Sequence, residues 1–259
     1  MEDKVRSLLL DYVRRKTGAE PELHALRAAD PWDVHIVFSL PGSGLFEIRN
    51  VREDDLETFL AFSDGLRAAS RESFRPYPWD NLDRLLPALR TAINQAVTGV
   101  DACYLMFHEA LPVGEFFLWK AGGNPDSRLY GVEVPELGIG FADSYHGRGL
   151  GGLCTRLLTI VAEHLKTDGI ELTTAMDNEA GFCTYLSAGY EYVGDIANPL
   201  EADVTAILAE QTSAAWWRLE RQMVYVINRS RRAALFGYLA EKRRLSSALA
   251  ARSGCILAG

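Results

Sequence analysis

The sequence predicts a mixed α/β domain, one sheet covered by helices, and three observations carry that prediction. Short β-rich runs and apolar stripes at helical spacing alternate along most of the chain. Early runs are paired around turn-forming residues, as in hairpins. A strand-like run, Leu137 to Ala142, passes through a glycine-rich turn into a long apolar stripe: Leu150, Leu153, Cys154, Leu157, Leu158, Val161, Ala162 and Leu165.

From the N-terminus, Val5, Leu8, Leu9, Tyr12 and Val13 predict an amphipathic helix, followed by an irregular stretch through Asp30 and Pro31. Trp32 to Leu40 and Leu45 to Val51 read as strands joined at Pro41-Gly42-Ser43-Gly44. Leu56, Phe59, Leu60 and Leu66 mark a helix, and the preceding Glu53-Asp54-Asp55 suit the positive end of its dipole. Leu82, Leu85, Leu86, Leu89, Ile93 and Val97 mark another, while prolines confine Ser70 to Trp79 to a loop. Tyr104 to His108 and Glu115 to Trp119 form a hairpin around Leu111-Pro112-Val113-Gly114, and the polar loop Gly122 to Ser127 follows. Gly169 is expected to stop the long helix before a strand, Ile170 to Ala175, and a short helix, Ala180 to Ser187, closed by Gly189. Tyr190 to Val193 reads as a strand, Pro199 to Gln211 as helical, and Trp217 to Ile227 as a long strand. A basic amphipathic helix with Leu235, Tyr238, Leu239 and Leu245 ends the chain.

The 259 residues suit one core domain of roughly 150 to 200 residues with extensions. The division expected is a helix and strand extension over 1–44, a core domain over 45–228 and a helical extension over 229–259. A net charge of −8 gives no global reason to bind nucleic acid and is compatible with a cationic acceptor. The Arg231-Arg232 and Lys242-Arg243-Arg244 clusters read as solvated helix faces. No apolar run reaches the ~18 residues of a membrane span, and the N-terminus is too densely charged for a signal peptide, so the expected compartment is the cytoplasm, with no membrane partner. Cys103, Cys154, Cys183 and Cys255 have neither zinc-site nor disulfide-framework spacing; they are expected to be reduced and mostly buried, and no metal is expected.

The turn His146-Gly147-Arg148-Gly149-Leu150-Gly151-Gly152 carries the chemistry. A glycine-rich turn entering a helix presents backbone N–H groups at the positive end of the dipole, where phosphate binds, and Arg148 adds a cation. No Lys-Ser/Thr follows as in a P-loop. Gly147-x-Gly149-x-x-Gly152 satisfies the dinucleotide string, with Glu171 about twenty residues on, but that site belongs after the first strand, and the preceding elements are wrong for it.

Glu136 to Gly151 resembles the coenzyme A signature of the GNAT acyltransferase superfamily, Arg/Gln-x-x-Gly-x-Gly/Ala after its strand, with His146 at the first position. Independently, Asn178 to Tyr190 resembles the family's Asn, helical Tyr and Gly-Phe/Tyr pattern. The resemblance covers roughly Phe46 to Gly194, with Trp217 to Ile227 as the final strand. It implies a GNAT fold with N- and C-terminal helical extensions, acting as an acyl-CoA-dependent N-acyltransferase. The expected reaction is transfer of acetyl, or another short acyl group, from the CoA thioester to a primary amine by direct attack in a ternary complex.

In that reading the pantetheine arm lies between splayed strands near Ile139 to Ala142 and Thr173 to Met176. Backbone groups of Ile139, Gly140, Phe141 and Ala142 hold it, while His146, Gly147, Arg148, Gly149, Leu150, Gly151 and Gly152 hold the phosphates. Asn178 helps position the cofactor or simply caps its helix. Tyr185 protonates the departing thiolate or is a core aromatic. Glu136 is the first candidate base, with Glu115 and Glu133 behind it. Phe74, Tyr77 and Trp79 lie where the family builds the acceptor pocket, as lining or as packing. The acceptor is a small-molecule or protein amine, and either extension is a candidate homodimer contact. The alternative is a non-catalytic acyl-CoA-binding regulator of a protein partner.

Overall fold

Helix α1 (Glu2–Thr17) buries Val5, Leu9, Tyr12 and Val13 and ends on Gly18 in the left-handed region, as the helical spacing requires. In the computed structural model, which describes residues 1–20, 22–40, 42–120, 125–199 and 217–252, three strands follow: β1 (Glu22–Ala28), β2 (Val34–Leu40) and β3 (Gly44–Asn50). Strand β1 corrects the irregular stretch expected there. Among the described residues it pairs only with β2, its side chains are mostly exposed or half-buried, and a register shift between Leu23 and Ala25 breaks the two-residue period that marks a strand. Strand β2 alternates fully, with Val34, Ile36, Phe38 and Leu40 turned inward.

Helices α2 (Leu56–Asp64) and α4 (Leu82–Val97) fall where expected, and Asn81 caps α4 by accepting from the Arg84 N–H. Between them, residues expected to be loop form a short helix, α3 (Ala68–Ser73), before the prolines begin. Strands β4 (Ala102–His108) and β5 (Leu111–Trp119) turn at Glu109 and Ala110, not at Leu111 to Gly114. Both turn residues have positive φ, 48° and 69°, as a two-residue primed turn demands. Pro112 lies inside β5 at a register shift, where a missing N–H is tolerated.

Strand β6 (Glu136–Phe141) leads through the glycine turn to α5 (Leu150–Leu165). The helix stops on Lys166, left-handed at φ 59°, so Gly169 opens β7 (Gly169–Ala175) and does not cap α5. Gly169 is needed for close approach: a Cβ there would stand 2.8 Å from both the Tyr225 carbonyl oxygen and Leu235. Then come α6 (Glu179–Ser187), β8 (Glu191–Pro199), β9 (Trp217–Val226) and α7 (Arg232–Arg252). The helix expected over Pro199 to Gln211 lies outside the described residues beyond Pro199, as does Cys255.

The nine described strands form one sheet in the order β1-β2-β3-β4-β5-β6-β7-β9-β8, antiparallel at every step except β6–β7. Helices α1 and α5 cover one face, packing around Leu9, Leu153, Leu157, Phe38 and Phe116. On the other face α2 and α4 bury Phe59, Phe62, Leu85 and Leu89 with Tyr77 and Trp79. Helix α7 seals its far end through Leu235, Tyr238 and Leu239 on Val224. Each such buried side chain stabilises the fold by about 1.5–3 kcal/mol.

Candidate active site

Strand β6 pairs with β5 along its whole length, from Glu136↔Trp119 to Phe141↔Gly114, and β7 pairs just as fully with β9. Between β6 and β7 there is one register pair, Glu136↔Glu171. The sheet therefore opens beyond that rung, and the β6 backbone from Leu137 to Phe141 turns an unladdered edge toward the gap. Unpaired main-chain groups are a strong demand for a ligand that can hydrogen-bond in strand fashion.

The chain leaves β6 through a tethered turn. The Asp143 N–H donates to the Gly65 carbonyl, and its carboxylate accepts from the Arg67 N–H and the Ser70 hydroxyl. The His146 Nε2 is 2.9 Å from the Phe141 carbonyl oxygen, closing the turn on itself. Gly147 and Gly149 have φ of 73° and 80°, a region that a side chain makes costly. Gly149 is the N-cap of α5 and offers no side-chain cap, so the first N–H groups of the helix stay open to a ligand. Around Gly151 and Gly152 a Cβ would meet only the Thr184 methyl at 3.9 Å, which leaves room for phosphate. These features fit the phosphate end of coenzyme A.

The N-terminal helix reaches this turn. Tyr12 donates its hydroxyl to the Arg148 carbonyl at 3.2 Å, and a Cβ on Gly149 would stand 2.5 Å from the Lys16 Cε. The Arg148 guanidinium lies 4.6 Å from the Tyr145 ring centre. Nothing in the spacing of α1 marked Lys16, because its place depends on how α1 crosses α5.

Asn178 caps α6, accepting from the Gly181 N–H at 2.9 Å. Tyr185, about two turns further, is half-buried with its ring 5.9 Å from that of Tyr190. Burial pushes its phenol up to about 12, so it holds its proton at neutral pH. Among the described residues its hydroxyl has no hydrogen-bond partner.

Glu136 points to the α2–α4 side of the sheet, opposite Trp119. Burial pushes its carboxyl up to about 7; Lys242 opposes that shift, and Glu171 and Glu220 add to it. Glu171, fully buried, accepts from Gln222 Nε2 at 2.9 Å and from Lys242 Nζ at 2.6 Å. Glu220 accepts from Asn198 at 2.7 Å, from Arg218 at 2.6 Å and from Arg75 at 3.2 Å. Burial raises its pKa, but hydrogen bonds from Thr173, Asn198 and Arg218 outweigh that and hold it below the usual carboxylate range. Sequence reading passed over Glu171, Glu220 and Lys242 as site residues. The legible signal was Glu171 itself, a charge inside the apolar run Ile170 to Ala175.

The other sequence-derived candidates lie elsewhere. Tyr77 and Trp79 are buried against each other, ring centres 5.1 Å apart, and Tyr77 donates to Glu115 Oε1 at 2.6 Å. Glu115 is fully buried beneath them, and burial pushes it up to about 8. Of the three aromatics only Phe74 reaches the opening: a Cβ on Gly140 would collide with its ring. Glu133 precedes β6 and pairs with Lys120 at 3.4 Å. Among the described residues no group of three or more His, Cys, Asp or Glu is placed to hold a metal, and no helix is long and apolar enough to cross a membrane.

Residues 46–191 match the acetyltransferase (GNAT) domain family. Comparison with curated proteins gives no match. Solved structures that share the fold include the following three. An N-acetyltransferase from Staphylococcus aureus Mu50 is 14% identical with a TM-score of 0.51, over 70% of this chain and 98% of that one. An acetyltransferase of the GNAT family from Streptococcus pneumoniae is 18% identical with a TM-score of 0.53, over 70% and 99%. RimL, a ribosomal L7/L12 alpha-N-protein acetyltransferase in complex with coenzyme A, is 13% identical with a TM-score of 0.53, over 71% and 94%.

Proposed function

The chain belongs to the GNAT acetyltransferase family, and from that premise we propose that it moves an acetyl group from acetyl-CoA to a primary amine by direct attack in a ternary complex. The observation that carries the proposal is the open edge of β6, which runs from a phosphate-sized glycine cradle at one end to Glu136 at the other. Main-chain amides from His146 to Gly152, with the Arg148 guanidinium, bind the phosphates. The backbone of Ile139, Gly140 and Phe141 pairs with the pantetheine amides, while Ala142, its N–H given to Val113 and its carbonyl accepting from Tyr145, fixes the end of that edge, and Asn178 orders the neighbouring helix start. The thioester supplies the activated acyl group.

Glu136 receives the proton of the incoming ammonium; a carboxyl with a pKa of about 7 is ionised often enough to accept it and basic enough to do so readily. Tyr185 donates a hydrogen bond to the departing sulfur. With its phenol at about 12, it acts as a donor in the transition state and does not ionise at rest. The acidic side chains of Glu171 and Glu220 beside the opening suit a cationic acceptor. The acceptor class is an amine on a protein or a small molecule, in keeping with the protein N-terminus named for the RimL relative.

Calorimetric titration with acetyl-CoA and coenzyme A, beside thiol release against pooled amines, tests the proposal. Micromolar binding with amine-dependent release is expected, and Tyr185→Phe should slow release by about tenfold while leaving binding intact. Binding without release to any amine would favour the non-catalytic regulator; absence of binding would sink the reading.

A further inference from the structure

The acceptor face already holds an amine that belongs to the chain. Helix α7 lies outside the family-matched residues and is anchored by Leu235, Tyr238 and Leu239, with the Ser246 hydroxyl donating to the Ala197 carbonyl. From its second half Lys242 reaches the sheet and donates to Glu171 Oε1 at 2.6 Å. Glu171 is the partner of Glu136 across the last rung before β6 and β7 part. The neighbouring Arg243 donates to Gln222 Oε1 at 2.6 Å, and Gln222 in turn donates to Glu171, so the reach of Lys242 is held from two sides. Its side chain keeps 26% exposure and is not sealed in.

An acceptor amine in this reaction needs a carboxylate to hold it, a base beside it and a place at the closed end of the opening, where the acyl end of an extended arm would lie. Lys242 meets all three conditions. We infer that Lys242 is itself an acyl acceptor, so that the enzyme acylates its own C-terminal helix when no external amine stands in the site. The inference rests on the acetyl-transfer reading above.

The step balances with acyl-CoA as the only co-reactant. The Nζ lone pair forms a C–N bond to the thioester carbonyl carbon, and the C–S bond breaks with its electron pair leaving on sulfur. Of the two protons that the ammonium sheds, one goes to Glu136 and the other ends on the thiol, relayed through Tyr185. The products are an Nζ-acyl lysine and free coenzyme A. The neutral amide keeps one N–H for Glu171 but loses the charge, which weakens the hold of α7 on the acceptor face. Acylation of Lys242 is thereby a switch on acceptor access.

The test is a peptide mass-spectrometric time course on the full chain incubated with acetyl-CoA and no amine. Exposed Lys166 serves as the internal reference, since spontaneous acylation favours the more exposed amine. The Lys242 peptide should gain one acetyl group at least about tenfold faster than Lys166, the modest end of what a positioned base contributes. Glu136→Gln should remove that excess and leave Lys166 unchanged. Without amine the wild type should release a stoichiometric burst of thiol, and Lys242→Arg, which keeps a cation for Glu171, should abolish it. Acylation of Lys242 no faster than Lys166, in protein that binds acetyl-CoA and releases thiol with an added amine, overturns this inference alone. Failure to bind acetyl-CoA overturns it together with the transfer reading.

Discussion

The glycine turn and the carboxylate cluster stand at opposite ends of β6, and they are built in different ways. The turn is seven consecutive residues, His146 to Gly152, acting through main-chain N–H groups and the start of one helix. The cluster draws Glu136 from β6, Glu171 from β7, Gln222 from β9 and Lys242 from α7, while Glu220 and its partner Arg75 lie further along the opening, level with Ala175 of β7. The first can be carried from chain to chain by a short motif. The second exists only when distant strands keep register and a helix outside the family-matched region lies across them. Binding of the common donor can thus be conserved in form while the acceptor side is rebuilt.

The sharpest way to break this comparison is at the turn. Gly151→Asp adds a side chain where only the Thr184 methyl is near, at 3.9 Å, and puts a carboxylate in the first turn of α5, which should leave the melting temperature unchanged or raised. Acetyl-CoA affinity should nevertheless fall by about a hundredfold or more, roughly 2.7 kcal/mol, on titration. Unchanged affinity would separate the turn from phosphate binding.

At the other end, Glu136→Gln should lower kcat by about 10²–10³-fold while the acetyl-CoA dissociation constant stays within about twofold. The base works only when ionised. With its pKa at about 7, wild-type kcat/KM should rise with pH up to about 7 and then level off, and the variant should lack that limb. A limb that persists in the variant assigns the base to another group.

The smallest expected effect concerns stability. Glu115 is pushed up to about 8 in the fold, so its contribution is fully present below the ordinary carboxylate range and is lost as pH rises toward 8. Glu115→Gln preserves an acceptor for the Tyr77 hydroxyl and should reduce the fall in melting temperature between acidic and mildly alkaline buffer by about 2–4 °C. An unchanged fall would show that the buried carboxyl is not what makes this fold pH-sensitive.

Much of the frame was legible because its signals are local. The stripe from Leu150 to Leu165, the stripe from Leu82 to Val97 and the alternation in β2 each declare an element within a few turns or pairs. What misled was also local. Gly169 looked like a helix stop but serves close packing, Leu111 to Gly114 looked like a turn but continues a strand, and β1 has too little apolar alternation to announce itself.

By itself, then, the sequence determined the mixed α/β class, the order of most elements and the glycine turn that opens α5, since hydrogen bonding along the main chain and the period of a helix or strand are properties of neighbouring residues. Only the tertiary structure decided that Tyr12 and Lys16 reach the turn, that Glu115 lies beneath Tyr77, and that Glu136, Glu171 and Lys242 converge at the closed end of an opened sheet. Those positions follow from strand register and helix crossing, long-range packing outcomes that no stretch of neighbouring residues encodes.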